Sequence, residues 1–209
     1  SNPWVSGVAS LFTTEFYKAM QRYLIEDGLF GQWIQLYEFD DALMESILKA
    51  LSSAFSDYVI YRLDAGNIML IAKNSGQLSE PDWASLFSSP ITKELNKINV
   101  NSESDLLLRK LISAEHLDPY LMGSSAPMNS DYFPYVDLNA GRARFTKSVA
   151  GVFNTWSVAS VPILEMLGGA TWDHTRVSSA PIPGLYTAHM EARWIYHQLT
   201  TDLSSEVEV

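Results

Sequence analysis

The chain has 209 residues, 47% of them hydrophobic and 12% aromatic, enough to bury a core in one domain or in one and a small second. Its formal net charge of −10, from 24 acidic against 14 basic residues, argues against a nucleic-acid partner, whose phosphates need a Lys/Arg surface. The chain has no cysteine, which excludes disulfides and thiolate chemistry, and no apolar run approaches the roughly 20 residues of a membrane span.

The opening Ser1-Asn2-Pro3-Trp4 has neither the basic start nor the apolar stretch of a signal peptide, and no initiator Met. It reads as the interior of a longer gene product, or as a cloning scar at Ser1-Asn2. Thr13 or Thr14 is placed to cap a helix, with Glu15 in its positive first turn. Phe16, Ala19, Met20, Tyr23 and Leu24 recur at three and four residues, the spacing of one buried face, and Asp27-Gly28 ends the run. Leu29 to Tyr37 is a short apolar and aromatic run, which predicts a buried strand. Asp40 caps a second helix reaching about Phe55, with Leu43, Ile47, Leu48 and Leu51 on one side. Tyr58 to Leu63 and Ile68 to Ala72 predict two strands joined by the turn Asp64-Ala65-Gly66-Asn67.

Helix, strand, helix, strand, strand is the order found at the end of a doubly wound sheet whose last strand turns back antiparallel. Three strands are few for that architecture, so earlier strands are expected upstream. No G-x-G-x-x-G or G-x-x-x-x-G-K-[ST] motif occurs. Beyond Lys73 the texture changes. Asn74 to Pro81 is polar and turn-prone, and short helices are expected over 80–87, 91–98 and 104–114. A loop follows over 123–134, then helices over 141–168 and 185–203, with a frayed end. The expected division is residues 1–73, a partial α/β domain, and 74–209, a mostly helical extension.

The stretch Ser1-Asn2-Pro3-Trp4-Val5-Ser6-Gly7-Val8-Ala9-Ser10-Leu11-Phe12-Thr13-Thr14-Glu15-Phe16-Tyr17 resembles the spermidine-synthase (polyamine aminopropyltransferase) family. In that family a D-x-x-D-P loop leads through small residues into L-[FY]-x-x-x-[FY]-[FY]. Leu24 to Trp33 is similar to the family's L-x-x-G-G-x-x-x-x-Q passage, with Asp27 for the first Gly and Gln32 one residue early. Asn129-Ser130-Asp131-Tyr132-Phe133-Pro134 looks like the N-T-D-D-x-P segment of bacterial members, including those fused to membrane domains. The resemblance covers residues 1–73 and this later motif. It implies the C-terminal half of a Rossmann-like, methyltransferase-type doubly wound sheet with a terminal antiparallel hairpin, followed by a helical extension. It implies too a cytoplasmic protein, or the soluble part of a membrane-fused parent. The parent reaction would be transfer of an aminopropyl group from decarboxylated S-adenosylmethionine, a co-substrate, to a diamine. No cofactor is expected on this chain itself.

Such a transfer needs an acidic residue to position the amine and accept its proton. The family takes this acid largely from its D-x-x-D-P loop, and Asn2 stands at the second acidic position here. The donor-binding glycines and the first acid would lie upstream, so this chain by itself is expected to be inactive. What remains is a substrate-side rim at the carboxyl ends of the strands: Asn2 and Trp4, then Gln32, Gln35 and Tyr37, with Asp64 near the hairpin position where the family often has a Tyr. Each has an ordinary structural alternative, with Trp4 filling core, Gln35 satisfying backbone and Asp64 making a turn.

The expected partners are a missing N-terminal half or a homo-oligomer mate, since half a sheet leaves an edge, and a polyamine substrate when complete. His189 and His197 lack the H-x-x-x-H spacing of a helical zinc site, and Trp172-Asp173-His174 lacks a nucleophile motif. Asn129-Ser130-Asp131 reads as a docking element for the tail. Two rival functions stay open: an S-adenosylmethionine-dependent methyltransferase relative, and a non-catalytic binding module that kept the fold.

Overall fold

The computed structural model describes residues 2–5, 7–64, 66–79, 81–107 and 109–151. The chain divides into two compact units, the first holding residues 1–79 and 111–151 and the second residues 80–110 of those described. Residues 111–151 therefore belong with the first part of the chain, although the sequence suggested a break at 73.

The first unit opens with a 3₁₀ turn, Val8–Phe12, and helix α1, Thr14–Gln21. Thr13 caps α1 by accepting from the Phe16 N–H at 3.2 Å. The helix is shorter than its apolar spacing suggests, because Tyr23 and Ile25 find no surface to bury against and the chain runs on in turns. Tyr17, not Tyr23, is the buried aromatic. Strand β1, Leu29–Gln35, leads to helix α2, Asp41–Ser52, capped by Asp40 accepting from the Leu43 N–H at 2.8 Å. Strands β2, Asp57–Asp64, and β3, Asn67–Lys73, form the expected hairpin.

The four-stranded sheet runs β1-β3-β2-β4, with β4 at Lys110–Ser113. β3 is antiparallel to both neighbours, so β1 and β2 point the same way with β3 inserted between them. The stretch 104–114, expected as one helix, instead gives α5, Glu103–Leu107, in the second unit and then β4. Its apolar run suits either structure by spacing. Strand wins where Leu111 and Ile112 are buried. Helix α6, Ala114–Gly123, follows, then the loop, then α7, Tyr135–Thr146. Lys147, left-handed at φ 51°, closes α7 well short of 168. In the second unit, α3, Trp83–Ser88, and α4, Thr92–Lys97, pack on each other. Predicted elements beyond 151, including the helix at 185–203, lie outside the described residues.

One face of the sheet is buried: Gln32 and Ile34, Tyr58, Ile60 and Arg62, Ile68, Leu70 and Ala72. A ring cluster of Phe16, Tyr17, Phe30 and Phe55 closes one end, with Phe30 stacked on Phe55 at 5.2 Å. α2 buries Leu43, Met44, Ile47, Leu48 and Leu51 and packs against α1, α6 and α7. Its Glu45 carboxylate accepts from the Tyr120 and Ser124 hydroxyls, and the Lys49 ammonium donates to the Ser124 and Ala126 carbonyls at 2.8 Å each.

Burial pushes the Tyr17 and Tyr58 hydroxyls far above their ordinary pKa of 10, and the bond from Tyr58 to Asp118 adds to its rise. A raised folded-state pKa contributes stability that is complete below 10 and is lost as pH climbs past it. Unfolding free energy should thus hold level from pH 7 to 9 and fall above 10. The slope should be about 1.4 kcal/mol per pH unit for each buried tyrosine. Urea titrations across that range check it, and Tyr17→Phe should flatten the slope.

Candidate functional site

Two polar clusters stand out in the first unit. The first lies at the carboxyl end of β1. Gln35 is fully buried and faces Asn67 across the β1–β3 ladder. Gln35 Nε2 donates to the Tyr37 carbonyl at 3.4 Å. Gln35 Oε1 and Asn67 Oδ1 are both buried and accept no hydrogen bond among the described residues. Asp64 shapes the hairpin turn, its carboxylate accepting from the Gly66 N–H and from Asn67 Nδ2 at 2.8 Å. A Cβ at Gly66 would sit 3.3 Å from the exposed Tyr37 ring, so turn and ring approach closely there. Gln35, Tyr37 and Asp64 thus come together, joined by Asn67.

The other expected rim residues lie elsewhere. Gln32 is inside the core, accepting from the Tyr17 hydroxyl at 2.7 Å and donating to the Leu11 carbonyl at 3.1 Å. Both ends of its amide are occupied, so it latches the 3₁₀ turn and α1 to β1. Asn2 is exposed, and its carbonyl accepts from Val5 in a turn. Trp4 is half-buried beneath the Arg144 guanidinium, 5.5 Å from the ring centroid, a cation–π contact with α7. After α7 the chain returns to β1's end, where Val149 bridges Tyr37 and the Ala150 N–H donates to the Leu36 carbonyl at 2.9 Å.

The second cluster is a cleft of about 360 Å³ between the segment Gly7–Thr13 and the segment Asn129–Asp137. Ser10 and Thr13 line one side, and Asp131 and Asp137 line the other. Its frame is Asn129. The Asn129 side chain donates through Nδ2 to the Phe12 carbonyl at 2.9 Å and accepts at Oδ1 from the Val136 N–H at 3.1 Å. Its backbone N–H donates to the Ser46 carbonyl, and its own carbonyl accepts from the Thr14 N–H and hydroxyl. The Asp131 N–H donates to the Glu15 carboxylate at 2.8 Å. The motif residue Asn129 therefore docks the segment onto α1, α2 and the 3₁₀ turn. The sequence offered the motif but no sign that Asp131 and Asp137 would share a cleft with Ser10 and Thr13.

His116 is buried with Nδ1 3.2 Å from the Ser113 hydroxyl, a local contact at the start of α6. No group of three metal-ligating side chains occurs among the described residues, and none of the helices there is long and apolar enough to cross a membrane. His174, His189 and His197, and the tail aromatics such as Trp172 and Trp194, lie outside the described residues.

Removing the Asn129 amide strands two backbone groups in a buried place. Asn129→Ala should therefore cost about 3 kcal/mol of unfolding free energy, at roughly 1–3 kcal/mol for each orphaned group. Equilibrium urea unfolding checks the value, and a loss below about 1 kcal/mol would show the frame to rest elsewhere. Compared with known protein families, with curated proteins and with solved structures, the chain finds no match.

Proposed function

We propose that this chain is the C-terminal part of a spermidine-synthase-like domain, whose complete form transfers an aminopropyl group from decarboxylated S-adenosylmethionine to a diamine. The observation that carries the reading is the strand arrangement. β1 and β2 run the same way across the α2 crossover, and the antiparallel β3 is inserted between them. That is how a methyltransferase-type sheet would end, and the Ser1–Tyr17 and Leu24–Trp33 resemblances fall on the segments leading into it.

The chemistry available agrees with an amine acceptor. Gln35 Oε1 and Asn67 Oδ1 offer two unpartnered acceptors at the carboxyl end of β1. An amine brings N–H donors to such a pair. In the transfer the amine nitrogen attacks the carbon beside the sulfonium, the C–S bond breaks, methylthioadenosine leaves, and the nitrogen gives up a proton. A carboxylate must take that proton, and Asn2 cannot. The acid is therefore expected just before Ser1 in the parent gene product. Of the residues first assigned to the rim, Gln35 keeps a ligand role. Gln32 belongs to the core, and Asp64 acts through the turn that holds Asn67.

A second reading has its own support. Asn2 in place of an acid, and a rim whose Gln32 and Asp64 are occupied internally, suit a binding module that kept the fold without the chemistry. A methyltransferase relative shares the sheet and differs in its co-substrate.

The test uses the full-length parent protein with putrescine and decarboxylated S-adenosylmethionine, following methylthioadenosine release. Turnover is the expected result. Gln35→Leu should lower kcat/KM for the diamine about 10- to 100-fold, the worth of one hydrogen bond to a charged or charge-developing group. Release of S-adenosylhomocysteine from S-adenosylmethionine, with no methylthioadenosine from the decarboxylated donor, would establish the methyltransferase. Binding of putrescine without turnover of either donor would establish the module.

A further inference from the structure

An ionised carboxylate only accepts hydrogen bonds, whereas a primary amide carries an acceptor at one end and two donors at the other. That difference fixes how the Asn67 side chain is turned. Asn67 Nδ2 donates to Asp64 Oδ1 at 2.8 Å and to Asp64 Oδ2 at 2.9 Å, so both carboxylate oxygens hold one nitrogen. Turning the amide over would set its oxygen against two others. Asn67 Oδ1 is therefore directed to the buried side, where it accepts no hydrogen bond among the described residues. Asp64 is steadied in turn by the Gly66 N–H, which donates to Oδ1 at 2.8 Å.

The consequence falls on Gln35. It stands directly opposite Asn67 in the β1–β3 ladder, and residues so opposed share a face of the sheet with Cβ atoms about 5 Å apart. Gln35 Nε2 is turned to the Tyr37 carbonyl, which leaves Gln35 Oε1 as a second buried oxygen without a donor. Two neighbouring amides ordinarily satisfy each other, nitrogen to oxygen, because a stranded buried acceptor is costly. Here a carboxylate exposed at the hairpin end of β2 blocks that pairing from outside. We infer that Asp64 is a positioning residue, which clamps the Asn67 amide so that Asn67 and Gln35 present two oxygens and no donor to a ligand, an assignment that rests on the reading of this pair as the amine-binding acceptors. The pair so held admits a group that brings N–H and turns away one that brings only oxygens. Selectivity then comes from a residue that touches no ligand itself.

Asp64→Asn in the 209-residue chain tests the clamp. The new amide keeps an oxygen for the Gly66 N–H and sets its own N–H groups against Asn67. The Asn67 amide is then free to turn over and donate to Gln35 Oε1. Gln35 and Asn67 should become coupled as a result. Gln35→Met, of like shape without the polar end, should lower the urea midpoint more in the Asp64→Asn chain than in the wild type. In the first it breaks a hydrogen bond, and in the second it removes a stranded oxygen. A residue that only shapes the turn would leave the effect of Gln35→Met equal in the two backgrounds, and that result overturns the proposal. Calorimetric titration with putrescine is the second arm, run at about 0.5 M salt so that the lost charge of Asp64 is screened. The wild type should bind, and Asp64→Asn should weaken binding about tenfold or more, the worth of one hydrogen bond. Equal affinity in the two chains overturns the proposal as well. A wild-type chain that binds no putrescine sinks the amine reading instead, and the clamp is then decided by Gln35→Met in the two backgrounds.

Discussion

One buried amide fixes where three otherwise separate segments meet. Asn129 uses its side chain and both backbone groups to hold the end of the 3₁₀ turn, the start of α1, the Ser46 carbonyl of α2 and the first turn of α7. α7 has no capping side chain at its own N-cap, Pro134, so the Val136 N–H depends on Asn129 Oδ1, seven residues back. A side chain with one donor and one acceptor fits this place, because a carboxylate would set an oxygen against the Phe12 carbonyl and a hydrophobe would strand both groups. The cleft between residues 7–13 and 129–137 exists because this residue spans it.

α2 distributes the same constraint. Buried along much of its length, it carries Glu45 and Lys49 one turn apart, and both reach into the α6 end and the loop after it. The loop 124–128 is thereby fixed at its start by Glu45 and Lys49 and at its end by Asn129. Polar side chains on a buried helix would be a liability without partners, and here each of these bonds goes to a hydroxyl or a carbonyl.

How much of this was legible in the sequence depends on range. α2, β1 and the hairpin follow from local patterns: the Asp40 cap, the apolar run at 29–37 and the turn ending Gly66-Asn67 lie within their own segments. α1's early end does not, because Tyr23 repeats at the right spacing and only the absence of a surface to cover leaves it outside. The apolar run at 106–112 fits two structures equally, and the open side of β2 decides for strand, which spacing cannot encode. The docking role of Asn129-Ser130-Asp131 was visible as a motif, while its partners Phe12, Thr14, Glu15 and Ser46 are more than 80 residues away in sequence and were not. Gln32 and Gln35 looked equivalent on one strand. Their positions in the sheet separate them, Gln32 opposite Leu70 beneath Tyr17 and Gln35 at the strand's end opposite Asn67.

That separation narrows the chemistry. The polar groups occupied by the fold include Gln32, Asp64, Glu45, Lys49 and the whole of Asn129. In the first cluster the oxygens Gln35 Oε1 and Asn67 Oδ1 accept no hydrogen bond from the described residues, and Asp131 and Asp137 line the second. Both sets are acceptors. An anionic ligand would meet two acceptor oxygens at the first cluster and two acidic residues at the second, whereas the amine proposed above would bring N–H donors and positive charge. The two sets differ in what they ask of the amine. Buried amide oxygens accept from a neutral or charged nitrogen alike, and a solvent-facing carboxylate favours the protonated form.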